Sequence, residues 1–148
     1  MIPSDLIFIT HCLATLAMCG IVWFVQIVHY PLMHHVDQED TYFIHNSRRT
    51  RRIVMPLMLL EFTTGFLLIL RDVRPDYLPM GVAGVGMLLL AGSWFITFHY
   101  QIPRHQILIQ TRYNGQIVRE LVRFNWIRTL LWTIRSSICG WVLLQALP

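Results

Sequence analysis

Asn125, Arg128, Trp132 and Arg135 are spaced three, four and three residues apart near the end of a 148-residue chain. On an α-helix that spacing gathers an amide, two guanidiniums and an indole on one face. Guanidinium and amide donors together can hold an oxyanion as it forms. The indole can stack on a cation or on a flat apolar ligand. The run around them, 121–147, is otherwise mostly apolar, and polar groups in such a run are expensive unless they face an interior. Arg135 lies 11 residues past Phe124, roughly 16 Å into the run, and Arg128 roughly 6 Å.

Both arginines need a counter-charge. Glu61 is the only acidic residue inside an apolar run, and its depth from the Ile53 end, roughly 12 Å, falls between theirs. It is expected to pair with one or both. Such a pair either fixes helix register or takes part in proton transfer.

Histidines supply a second chemistry. His29, His34, His35, His45, His99 and His105 all fall at one end of the apolar runs, and only His11 falls at the other. Clustered imidazoles beside a carboxylate are candidate ligands for haem or a transition metal. No known ligand spacing is present, and long loops collect polar residues on their own. His29, His45 and His99 are the metal candidates. Gln26, Trp132 and Arg135 are candidates for holding a cofactor.

The elements that must position these groups follow from composition. Apolar residues make up 55% of the chain and charged residues 14%. Soluble domains carry fewer of the first and more of the second. Mean hydropathy is +0.50. This excludes a disordered chain, a basic nucleic-acid-binding domain and an ordinary soluble globule, and it makes the lipid bilayer the expected partner. A spanning helix needs roughly 20 apolar residues, and four runs qualify, at about 6–28, 53–70, 78–98 and 121–147. Only helices satisfy backbone groups in lipid when four short spans are too few for a barrel. The expected fold is all-α, one domain, an integral membrane antiparallel four-helix bundle.

All twelve basic residues are Arg, and we find no physical reason for the absence of Lys. Arg48, Arg49, Arg51, Arg52, Arg104, Arg112, Arg119 and Arg123 flank or occupy the two long links, while only Arg71 and Arg74 lie in the short one. The positive-inside rule then puts both long links in the cytoplasm and both termini outside, as expected for a bacterial inner membrane protein. The Arg clusters are expected to meet anionic headgroups. The stretch 41–52 is expected to form a helix running into the second span. Asn114-Gly115 is a turn before the last helix, which is expected to start near Gln116. Gly81, Gly84, Gly86 and Gly92 would let a neighbouring helix approach the third span closely. Cys12, Cys19 and Cys139 lie in apolar runs without paired spacing and read as packing residues.

Three stretches carry a resemblance: Trp23-Phe24-Val25-Gln26-Ile27-Val28-His29-Tyr30-Pro31-Leu32, Gln101-Ile102-Pro103-Arg104-His105-Gln106-Ile107-Leu108 and Phe124-Asn125-Trp126-Ile127-Arg128-Thr129. In these and in its four-span layout the chain resembles the anthrone-oxygenase-like superfamily of small membrane proteins. Pro103 to Leu108 is similar to that family's Pro-x-Asn-x-x-Leu, with His105 in the Asn position. A looser likeness, in size and in His-rich helix ends, is to the small haem-containing protoporphyrinogen oxidases. The resemblance implies redox chemistry on a lipophilic phenol or quinol that enters from the bilayer. Glu61 or His105 would take the phenolic proton, and Arg128 and Asn125 would hold the oxyanion. Gln26, His29, His99 and Trp132 would complete the lining. Two other functions fit the same residues: an accessory subunit of a larger membrane complex, and an oligomeric carrier linked to protons or anions.

Overall fold

The computed structural model describes residues 3–35, 42–111 and 114–146. Arg112, Thr41, Leu147 and the side chain of His34 lie outside the described residues. Four long helices account for nearly all of the rest, with no strand among the described residues. They are α1 (Pro3–Leu32), α2 (Tyr42–Leu67), α3 (Met80–Thr111) and α4 (Gly115–Ala146).

Helix ends follow local chemistry. Asn114 caps α4, its Oδ1 accepting the N–H groups of Gln116 and Ile117 at 3.0 and 3.2 Å, as a side-chain oxygen does at an N-cap. Pro79 is extended and precedes the first turn of α3. At the α2–α3 turn Tyr77 donates to Asp5 Oδ1 at 3.1 Å. Desolvation and then the Asp5 carboxylate push the Tyr77 phenol up to about 12. The α2 helix starts where the amphipathic stretch at 41–52 is expected. It runs unbroken through Pro56 and stops at Leu67, three residues short of the expected end.

α1 and α3 share a device that hydropathy does not show. Each contains one wide π-turn, at Val25–His29 and at Thr97–Gln101. In each, the residue just before a proline closes the turn: Tyr30 N–H bonds Val25 O, and Ile102 N–H bonds Thr97 O. A proline inside a helix has no N–H to give, and its ring strikes the carbonyl four residues back. Letting one extra residue into the turn opens space for the rings of Pro31 and Pro103. It also rotates what precedes them, so Gln26 and Gln101 are buried.

Contacts set the order of packing. As numbers on α1 rise through His11, Cys19, Trp23 and Gln26, the partners on α4 fall through Arg135, Thr133 and Asn125. On α2 the partners of His11, Thr15 and His29 are Thr64, Glu61 and Asn46. Gln101 and Arg104 of α3 meet Leu121 and Glu120 of α4.

Three apolar clusters are strung along the interior. Phe8, Cys12, Leu68, Leu78, Cys139 and Val142 close one end. Met18, Val22, Met58 and Trp132 fill the middle. Tyr30, Met33, Phe43, Leu108, Val118 and Leu121 fill the other end. Polar side chains lie between these clusters, while Leu13, Leu88, Leu130 and Leu144 stand on the outside at 60% exposure or more.

The glycines correct one expectation. A side chain at Gly81, Gly84 or Gly86 would meet open space, and one at Gly92 would make an ordinary 3.6 Å contact with Leu131. The third span is not a glycine-mediated close contact. The tight glycine is Gly65 on α2, where a Cβ would lie 2.9 Å from Met87 Sδ and 3.1 Å from His11 Cε1.

Candidate functional site

The α4 face reads as its spacing requires: Asn125, Arg128, Trp132 and Arg135 are all buried. They divide between two polar clusters.

The first cluster centres on Glu61, which is fully buried. Arg135 Nη1 forms a close ion pair with its Oε1. Thr15 donates to Oε1 at 2.8 Å, and Trp132 Nε1 lies 3.2 and 3.0 Å from Oε1 and Oε2. Arg135 Nη2 reaches His11 Nε2 at 3.4 Å, and His11 Nδ1 lies 3.0 Å from Thr64 Oγ1. Thr64 spends its own proton on Leu60 O at 2.7 Å, so His11 donates from Nδ1 and accepts at Nε2. That tautomer suits a neutral imidazole beside a guanidinium. A buried ion pair is stable when further hydrogen bonds use its remaining lone pairs and protons, and three donors surround this carboxylate. Glu61 therefore acts here as an anchor between α1, α2 and α4 rather than as a free base. A cavity of about 30 Å³ borders His11, Gly65, Met87, Arg135 and Cys139.

The second cluster centres on Arg128. Its Nη1 donates to Asn125 Oδ1 at 3.2 Å, and its guanidinium carbon lies 5.3 Å from the centre of the Trp132 ring. Asn125 Nδ2 donates to Gln26 Oε1 at 2.8 Å. Beside them, Tyr30 Oη donates to Gln101 Oε1 at 2.9 Å and lies 3.3 Å from His105 Nε2. Gln101 in turn donates to Leu121 O at 3.2 Å. Tyr30 and His105 both lie within electrostatic reach of Arg128.

The two arginines differ in one respect. Arg135 has its carboxylate. Arg128 is also buried, yet no acidic side chain pairs with it among the described residues, while the Nε of each arginine is without a partner among those residues. Of the pairings open to Glu61, only the deeper one forms.

The histidines do not gather. His29 Nε2 accepts from Asn46 Nδ2 at 3.0 Å. His99 is exposed, stacked on Phe95 and bonded through Nδ1 to Phe95 O at 3.1 Å. His45 is exposed. Among the described residues no group of three or more His, Cys, Asp or Glu could hold a metal. The metal set His29, His45 and His99 is thus corrected: the first points at α2, and the other two point outward. His99 is likewise absent from any shared lining with Arg128. His105 does join the Arg128 cluster, through Tyr30.

Five members were not found by sequence reasoning: His11, Thr15, Thr64, Tyr30 and Gln101. His11 and Thr15 do carry a signal, since they continue the stripe of Met18, Val22 and Gln26 along one face of α1. Thr64 follows Glu61 by one turn. Gln101 and Tyr30 depend on the π-turns.

Comparison of the chain with protein-family models, with curated proteins and with solved structures finds no match. Function is therefore argued from the site alone.

Proposed function

We propose that the chain is an integral membrane antiparallel four-helix bundle that binds a lipophilic phenol or quinol as its anion at Arg128 and acts on it as a redox enzyme. Support for the membrane setting is the inverted polarity: aliphatic side chains outside, ionisable ones inside. α1 and α3 are also long and apolar enough to cross a bilayer. The long links would face the cytoplasm of a bacterial cell, with both termini outside.

One observation carries the functional reading: a buried guanidinium with no counter-anion among the described residues. An unpaired buried charge costs several kcal/mol, and the anionic oxygen of a ligand would remove that cost. Asn125 and Arg128 would hold the oxygen. The proton would pass to His105, directly or through Tyr30, leaving an imidazolium and an electron-rich phenolate. For a quinol, dioxygen would take two electrons from that anion, which would leave as quinone; with the His105 proton and the remaining hydroxyl proton, the reduced oxygen would leave as hydrogen peroxide. A carrier fits less well, because the apolar cluster of Phe8, Leu68, Leu78 and Val142 covers the His11 end of the polar network.

The test is binding of 1-naphthol to the full chain in detergent, followed by naphtholate absorption. The expected result is anion absorption at neutral pH, with affinity about tenfold or more lower in Arg128→Gln, the loss of one charge-assisted hydrogen bond. Unchanged affinity in Arg128→Gln, or naphthol bound in its neutral form, would reject the reading.

A further inference from the structure

A groove of about 530 Å³ lies between the first half of α2 and the far end of α3. It is separate from both polar clusters. Ser47, Arg48, Arg51, Arg52, Met55 and Pro56 of α2 line it together with Ile109 of α3. The α2 residues recur at three- and four-residue steps, so they form one helix face. From Tyr42 to Leu60, α2 carries four arginines and no acidic residue. Like charges one turn apart weaken a helix. Elsewhere in the chain Arg104 is matched by Glu120 and Arg135 by Glu61, whereas among the described residues no acidic side chain lines this groove.

Pro56 adds a second polar feature. It lies inside α2, so the carbonyl of Arg52, four residues back, receives no N–H from it. That carbonyl points along the helix toward Pro56, and both residues line the groove. The groove thus offers three guanidiniums for an anion, an acceptor for a hydroxyl and an apolar wall.

We infer that this groove is a binding site for an anionic phospholipid whose phosphodiester headgroup carries a free hydroxyl, the glycerol type. The guanidiniums take the phosphate. The Arg52 carbonyl meets the hydroxyl. Met55, Pro56 and Ile109 meet the start of the acyl chains. Basic pockets between helices on the cytoplasmic side bind lipid headgroups for these reasons. The assignment rests on the membrane setting proposed above, but not on any chemistry at Arg128.

The test uses the full chain in neutral detergent, titrated with phosphatidylglycerol or phosphatidylcholine of matched chains and read by native mass spectrometry. Phosphatidylglycerol is expected to be retained about tenfold better. Replacing Arg48, Arg51 and Arg52 together by Gln is expected to erase that preference. Arg71→Gln with Arg74→Gln, in the short turn, is expected to leave it intact. Equal retention of the two lipids, or a preference that survives the triple replacement, would overturn the site. Displacement by millimolar inorganic phosphate would overturn the lipid source.

Pro56→Ala restores an N–H for the Arg52 carbonyl and gives up no buried contact, so folding does not confound it. It is expected to narrow the preference for phosphatidylglycerol over phosphatidylmethanol, which has the charge without the hydroxyl. No such preference in either chain would overturn the hydroxyl recognition. Recovery of the chain from the aqueous phase without detergent would instead overturn the membrane setting, so the two failures are distinguishable.

Discussion

Glu61 and Arg135 are each worth more to the fold as a pair than alone. Glu61→Gln leaves Arg135 buried without an anion and is expected to destabilise the chain by about 3–5 kcal/mol. Glu61→Leu with Arg135→Met removes both charges and is expected to recover most of that loss. Thermal unfolding in detergent of the single and double variants checks this. A double variant as unstable as the single one would show that the pair holds more than its own charges. Much of this was legible in the sequence: a lone acidic residue and a helical stripe of Arg, Trp and Asn announce a buried network. Which arginine takes the carboxylate was not legible. Depth along a helix places both arginines near Glu61, and only the rotation of α2 against α4 separates them. His11 was hidden for a different reason. An isolated histidine near one end gives no pattern until Thr64 and Arg135 are brought to it by two other helices.

At the scale of elements, Gly65 decides how closely α2 approaches α1. In Gly65→Ala the new methyl would crowd the Met87 sulfur, which can swing away, and the His11 ring, which Thr64 and Arg135 hold. A cost of about 1–3 kcal/mol is expected. Gly84→Ala, which meets open space, is expected to be neutral or to stabilise by about 0.5–1 kcal/mol through helix propensity. Comparing the two melting temperatures checks the assignment, and a neutral Gly65→Ala would remove His11 from the packing argument. Four helices and the Asn114 cap follow from apolar runs and turn chemistry. The π-turns do not, because hydropathy averages over the one extra residue they contain. In retrospect the proline at 103 was the clearer signal, since it sits in an apolar helix that runs on to Thr111, whereas α1 ends one residue after Pro31. The expectation of glycine-mediated packing on α3 failed because glycine frequency says nothing about which face a neighbour occupies.

For the whole molecule, the proposed membrane setting has a direct check. The chain is expected to stay with membranes after alkaline carbonate washing. A reporter fused at the C-terminus is expected on the opposite side from one placed in the Asn114–Gly115 turn. Release by carbonate, or both reporters on one side, would reject the arrangement. Composition already pointed here, since a chain this apolar has no interior large enough to hide its leucines. What composition could not show is that the polar side chains form two separate groups with an indole between them.

The unequal hydropathy of the helices also bears on how such a chain would enter a bilayer. α1 and α3 are long and apolar enough to cross a bilayer, whereas α4 is interrupted by two arginines. α4 carries Arg128 and Arg135, and a central arginine costs about 2.5–3.5 kcal/mol at the insertion machinery. α4 follows α3 in chain order, so insertion would proceed as two hairpins, with α3 drawing in α4. Glu61 and Arg135 would enter in different hairpins and neutralise each other only when the hairpins meet. A chain without α3 is then expected to leave α4 outside the membrane and open to protease, while α1 and α2 still insert.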